Sequence, residues 1–149
     1  MLLMYRAYLL MVTAVVEWGT GLVLLVWPSP PLRLLLGLEE AAPETMLVTR
    51  VAGAALLTIG VVCWFARNDY GRPAELGLLI GVLIYDVAAA ALLTYSGLVL
   101  SLAGLALWPA VVLHAALAAW CVACLCVKSR GEGAGIAAAF DESQRRTLP

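Results

Sequence analysis

The chain has 149 residues, of which 64% are hydrophobic and only 13% charged, with a formal net charge of −1. At a mean hydropathy of +0.98 it has too little polar surface to coat a soluble domain of this size, so it is expected to be an integral membrane protein. The balanced charge and the lack of a basic stripe argue against nucleic-acid binding. No polar stretch is long enough to build a separate catalytic domain.

A membrane-spanning helix needs about 20 predominantly apolar residues. Four stretches qualify: Tyr8 to Trp27, Met46 to Ala66, Leu76 to Tyr95, and a long run from Leu98 to Val127. The expected fold is therefore all-α, a four-transmembrane-helix bundle over residues 1–127 with a flexible cytoplasmic tail over 128–149. The first run follows a short basic start, as a secretory signal does. It is too long for one, holds Glu17 at its centre and lacks a small-x-small cleavage site before Pro28, so it is read as a span.

On the first span, helical spacing puts Thr13, Glu17, Thr20 and Gly21 on one face. Trp27-Pro-Ser-Pro-Pro31 then ends the helix, because consecutive prolines remove backbone donors. Leu32 to Leu38 reads as a short interfacial helix in the first outer loop, with Arg33 snorkelling. Pro43 and Glu44 suit the start of the second span. On that span Arg50, Gly53, Leu57, Gly60 and Trp64 share a face, with Arg50 about one turn inside the outer boundary.

Asn68-Asp-Tyr-Gly-Arg-Pro73 reads as a tight cytoplasmic turn. The third span places Gly77, Gly81, Tyr85 and Asp86 close together, and Gly77 to Gly81 is a GxxxG pattern. Gly53, Gly60, Gly77 and Gly81 are expected to be helix-packing positions within the bundle, a dimer seam being the alternative. Tyr95-Ser-Gly97 is expected to be the last turn. Beyond it the chain either continues as one long helix kinked at Pro109, or starts its fourth span at Trp108-Pro109 and packs Leu98 to Leu107 as an interfacial or re-entrant piece. Proline's preference for the first helical turn favours the second arrangement, which puts His114 in the outer half.

Seven of the nine basic residues, Arg6, Arg67, Arg72, Lys128, Arg130, Arg145 and Arg146, fall on one side of such a bundle. The positive-inside rule then places both termini in the cytoplasm. Trp27 and Trp108 would mark the outer interface, and Tyr5, Tyr8, Trp64 and Tyr70 the inner one.

The sharpest functional clue is Glu17, Asp86 and His114, ionisable groups within apolar spans. Such groups cost roughly 2.5 to 3.5 kcal/mol each on insertion scales and usually face a bundle interior or cavity. Arg50 is expected to reach Glu17 or Asp86 and lock the spans, with His114 satisfied by Tyr85 or a backbone carbonyl, so that Glu17, Arg50, Asp86 and His114 form one buried polar network. With two acids facing one arginine, the alternative is that one acid stays protonated and serves a proton or cation site.

Cys63, Cys121, Cys124 and Cys126 lie near the inner ends of spans two and four. They read mainly as packing residues, with Cys121 and Cys124 as candidate redox thiols. The single histidine makes no zinc site, and no hydrolase, phosphate-loop or dinucleotide motif is present. Neither a catalytic residue, a metal nor a cofactor is therefore expected.

The segment Arg50-Val-Ala-Gly-Ala-Ala-Leu-Leu-Thr-Ile-Gly60, with Glu17-Trp-Gly-Thr-Gly21 and Trp108-Pro-Ala-Val-Val-Leu-His114, resembles small bacterial four-helix membrane proteins of the DoxX-like kind. The resemblance runs from Tyr8 to Cys126 and implies a four-helix bundle in the bacterial inner membrane, with accessory or redox-associated roles. It carries no catalytic residue over. Glu17 in the first of four short spans is also similar to the membrane glutamate of small multidrug resistance exporters. This chain departs from them in its length, its acidic first loop, and Arg50, Asp86 and His114. The leading expectation is a non-enzymatic accessory protein that meets the bilayer and a membrane-protein partner or a second copy; the alternatives are a proton-coupled small-molecule transporter using Glu17, and a thiol-redox accessory.

Overall fold

A computed structural model describes residues 2–68 and 73–126. The regular elements of the described residues are all helices: α1 (Leu2–Val26), α2 (Ser29–Leu36), α3 (Pro43–Ala66), α4 (Pro73–Leu98) and α5 (Leu107–Cys126). All but the short α2 are long and apolar enough to cross a membrane, as the four apolar runs of the sequence lead one to expect. Residues 69–72 of the expected turn, with Tyr70 and Arg72, and the tail at 128–149 lie outside the described residues.

The boundaries depart from expectation where polar residues and prolines were read as breaks. Tyr95-Ser-Gly97 is not a turn but the last turn of α4, since the Ser96 hydroxyl donates to the Leu93 carbonyl at 2.7 Å and leaves the helix intact. The same self-satisfaction lets Thr49, Thr58 and Thr94 bond the carbonyl four residues back and stand in an apolar medium. The prolines that stop α1 also start α2. Pro30 and Pro31 occupy its first turn, where a missing N–H has no intrahelical acceptor to lose.

The end of α2 is fixed by the chain that precedes α5. Gly37 takes the left-handed conformation (φ 72°) and donates its N–H to the Arg33 carbonyl at 2.9 Å. Residues 99–106 are not helical, and they run back along α2. The Gly104 N–H donates to the Leu35 carbonyl at 3.1 Å and the Ala106 N–H to the Leu34 carbonyl at 2.8 Å, so the carbonyls a helix end leaves open are satisfied. A Cβ on Gly104 would collide with the Leu34 carbonyl oxygen. Of the two arrangements open to the fourth span, the structure therefore adopts the later start, at Leu107 with Pro109 in the first turn.

α1 and α3 cross at backbone contact. A Cβ on Gly21 would stand 2.7 Å from the Gly53 carbonyl oxygen, and one on Gly53 would stand 2.7 Å from that of Gly21. Gly60 makes room for Trp18, which stacks at 5.3 Å on Trp64, and Arg67 lies 4.0 Å over the Trp64 ring. Gly53 and Gly60 thus pack as expected. Gly77 and Gly81 do not: both are exposed on α4 with nothing within 4 Å of an added Cβ. The rotation of α4 turns that seam outward and presents Leu79, Val82 and Asp86 to the interior instead.

The bundle is layered along its axis. At the end remote from α2, Arg6 pairs with Glu75 at 2.9 Å, both side chains buried. Above them lies the apolar core of Leu9, Leu10, Ala14, Cys63, Leu79, Val82, Leu117 and Cys121. A polar layer follows, then a groove that α2 roofs.

Candidate functional site

The polar layer is assembled from three helices. Glu17 projects from α1, Tyr85 and Asp86 from α4, and His114 from α5, about 10 Å along the axis from that helix's start. Glu17 is 1% exposed and Asp86 is 0% exposed. The structure therefore brings together four of the five expected polar residues, and it places His114 in the half of its span nearer α2.

Their bonding is incomplete. His114 Nδ1 lies 2.8 Å from Asp86 Oδ1. Whichever of the two holds it, one proton bridges this pair. The Tyr85 hydroxyl makes a long 3.4 Å contact with Glu17 Oε2, and its ring meets the His114 imidazole edge-on at 5.6 Å. Among the described residues three buried side-chain oxygens are left without a hydrogen-bond partner, Glu17 Oε1, Asp86 Oδ2 and Thr13 Oγ1, as are Nε and Nη2 of Arg6 at the other end of the bundle. An unsatisfied buried acceptor costs about 1–3 kcal/mol, more when charged, so natural structures keep few.

Arg50 corrects the expected lock. It lies exposed on α3. Its helix face is the one that carries Gly53, but Gly53 meets α1 at Gly21, Leu24 and Leu25. Three residues farther toward α2, about 4.5 Å, α1 has already ended at Val26, so Arg50 cannot be buried against it. Among the described residues the buried arginine is Arg6, which with Glu75 forms an ion pair the sequence reading missed. Each lies near the end of a span and so resembles an ordinary interfacial charge. The available signal was their shared depth at the same end of neighbouring antiparallel helices.

Glu17, Tyr85 and His114 form the polar floor of a groove of about 390 Å³ whose other walls are almost wholly apolar, from Val16 and Val23 on α1, Leu34 and Leu35 on α2, Leu93 on α4 and Leu113 on α5. That volume falls within the range of small-molecule sites, about 300–1,000 Å³. Gly19 and Thr20 lie exposed along its side, and no atom stands within 4 Å of a Cβ placed on Gly19. The groove is thus open laterally, toward the region lipid would occupy. A smaller one, about 260 Å³, lies between α3 and α4 over Thr58, Leu78 and Gly81, and Tyr85 lines both.

The candidate thiols are elsewhere. Cys63, Cys121 and Cys124 are in the apolar core, while Cys126 is exposed. This burial gives an exchanging partner no approach to the Cys121 and Cys124 pair. Among the described residues, no three His, Cys, Asp or Glu side chains are placed to hold a metal ion.

No family model, no curated protein and no solved structure matches this chain.

Proposed function

We propose that this multi-pass membrane protein is non-enzymatic, that it binds a small molecule entering the groove from the bilayer, and that binding is coupled to protonation of Glu17. The observation that carries the reading is the buried carboxylate of Glu17, one oxygen of which has no partner, at the floor of an apolar groove open on its side. A purely structural acid would be paired, as Glu75 is with Arg6. A carboxylate in so apolar a setting holds either a proton or a cation, so ligand and proton exclude one another. The ionisable groups around Glu17 are Tyr85 and Asp86 on α4, His114 on α5 and Cys63 on α3, and Asp86 and His114 are hydrogen-bonded to each other.

The test is modification with dicyclohexylcarbodiimide, an apolar reagent that enters from the membrane and adds to protonated carboxyl groups. Mass spectrometry of treated membranes should find the adduct on Glu17 rather than Asp86, increasing as pH falls. Absence of any adduct on Glu17 would remove the reading.

An accessory role is the second reading, favoured by the outward GxxxG face of α4, where Gly77 and Gly81 leave space for a helix of another protein or of a second copy. Kinship with DoxX-like proteins fits that reading and rests on the sequence segments alone. We further assign the protein to the bacterial cytoplasmic membrane with both termini inside, on the strength of its asymmetric Lys and Arg distribution. Glu40→Cys should then react with an impermeant maleimide added to intact spheroplasts, and reaction only after lysis would reverse the orientation.

A further inference from the structure

We propose that the ligand of the groove is a protonated amine that retains at least one N–H and carries a hydrocarbon body. This rests on the groove reading above and adds the chemical class.

Three features of the groove select that class. The first is the kind of polar atom left open. Glu17 Oε1 can only accept when ionised, and no donor among the described residues serves it: the Tyr85 hydroxyl is turned to Oε2 and His114 Nδ1 to Asp86. A ligand completes the site by bringing a donor.

The second is the sign of the charge. Among the described residues no lysine or arginine lines the groove, and the basic group that does, His114, is engaged through Nδ1 with Asp86. Arg6 is buried at the other end of the bundle against Glu75, and Arg33 and Arg50 are exposed. An anionic headgroup would meet an uncompensated carboxylate in an apolar medium, whereas an ammonium pairs with it.

The third is the shape of what remains. From Glu17 to the end of α1 at Val26 the helix rises about 13 Å, and over that length the walls, apart from Thr20 at the open side, are hydrocarbon from Val23, Leu34, Leu35 and Leu93. A tail reaching from Glu17 toward the α2 roof is sheathed in apolar surface. A quaternary ammonium would satisfy the charge but not the open acceptor, so the N–H separates the proposed class from lipophilic cations in general.

The experiment is calorimetric titration of the full chain in lipid nanodiscs with decylamine, decyltrimethylammonium and decanol. Glu17→Gln and Gly19→Leu nanodiscs serve as references for partitioning into lipid. Gly19→Leu fills the groove from a position with open space and leaves the carboxylate in place.

Decylamine should bind the wild-type chain saturably and about tenfold or more tighter than decyltrimethylammonium, the difference one charge-assisted hydrogen bond makes. Both variants should lose that binding. Equal binding of decyltrimethylammonium would overturn the N–H requirement, and equal binding of decanol would overturn the charge. If none of the three binds above the variants while carbodiimide still labels Glu17, the amine class is wrong and the groove reading stands. If labelling fails as well, both fall.

Discussion

At the scale of single residues, two buried acids meet two different fates. Glu75 lies 2.9 Å from Arg6 with both side chains buried, a pair whose loss from one side costs about 3–5 kcal/mol. Glu17, equally buried, has only a long contact to Tyr85 and an oxygen with no partner. The sequence pointed to Glu17, Tyr85, Asp86 and His114 because an ionisable or hydroxylated group inside an apolar run stands out against it. It misdirected on the cation. Arg6 sits about one turn and Arg50 about two turns from the start of its helix, and depth alone does not separate an arginine that faces lipid from one that faces a neighbour. What separates them is whether another helix is present at that level, and α1 ends just short of Arg50.

At the scale of elements, the same ambiguity governs the glycines. Gly21 and Gly53 meet at backbone contact, while Gly77 and Gly81 face open space, yet the two sets look alike in sequence. A small-residue face states that close approach is allowed, and the rotation each helix adopts in the bundle decides whether it is used. Gly53→Ala should therefore force α1 and α3 apart and lower the thermal midpoint in detergent. Gly77→Ala and Gly81→Ala should leave it unchanged or raise it, each adding up to about 1 kcal/mol of helix propensity to stability. A loss at Gly77 or Gly81 as large as at Gly53 would mean that the outward seam of α4 is already packed, against a second copy. The prolines carry a related lesson. Their effect on α1 was legible, but their second role in opening α2, and the docking of residues 99–106 on the end of α2, depend on backbone hydrogen bonds between segments about 70 residues apart.

At the scale of the whole molecule, the four spans and the all-helical bundle were legible because hydropathy over a window of membrane thickness reports them directly. The groove was not, since it arises from the spacing of α1, α4 and α5 beneath the α2 roof and from the missing side chain at Gly19. The layers divide the work of the bundle: the Arg6–Glu75 pair and the apolar core hold it together at one end, and the polar floor and groove open it at the other. Groups kept for binding are commonly retained at the expense of stability. The most direct test of this division is the thermal midpoint of Glu17→Gln against the wild-type chain, in detergent without added ligand. The division requires the variant to melt at the same temperature or higher, because it removes a buried carboxylate that the fold leaves half unpartnered. A midpoint several degrees lower would show that Glu17 holds the helices together, and would contradict its assignment to the groove.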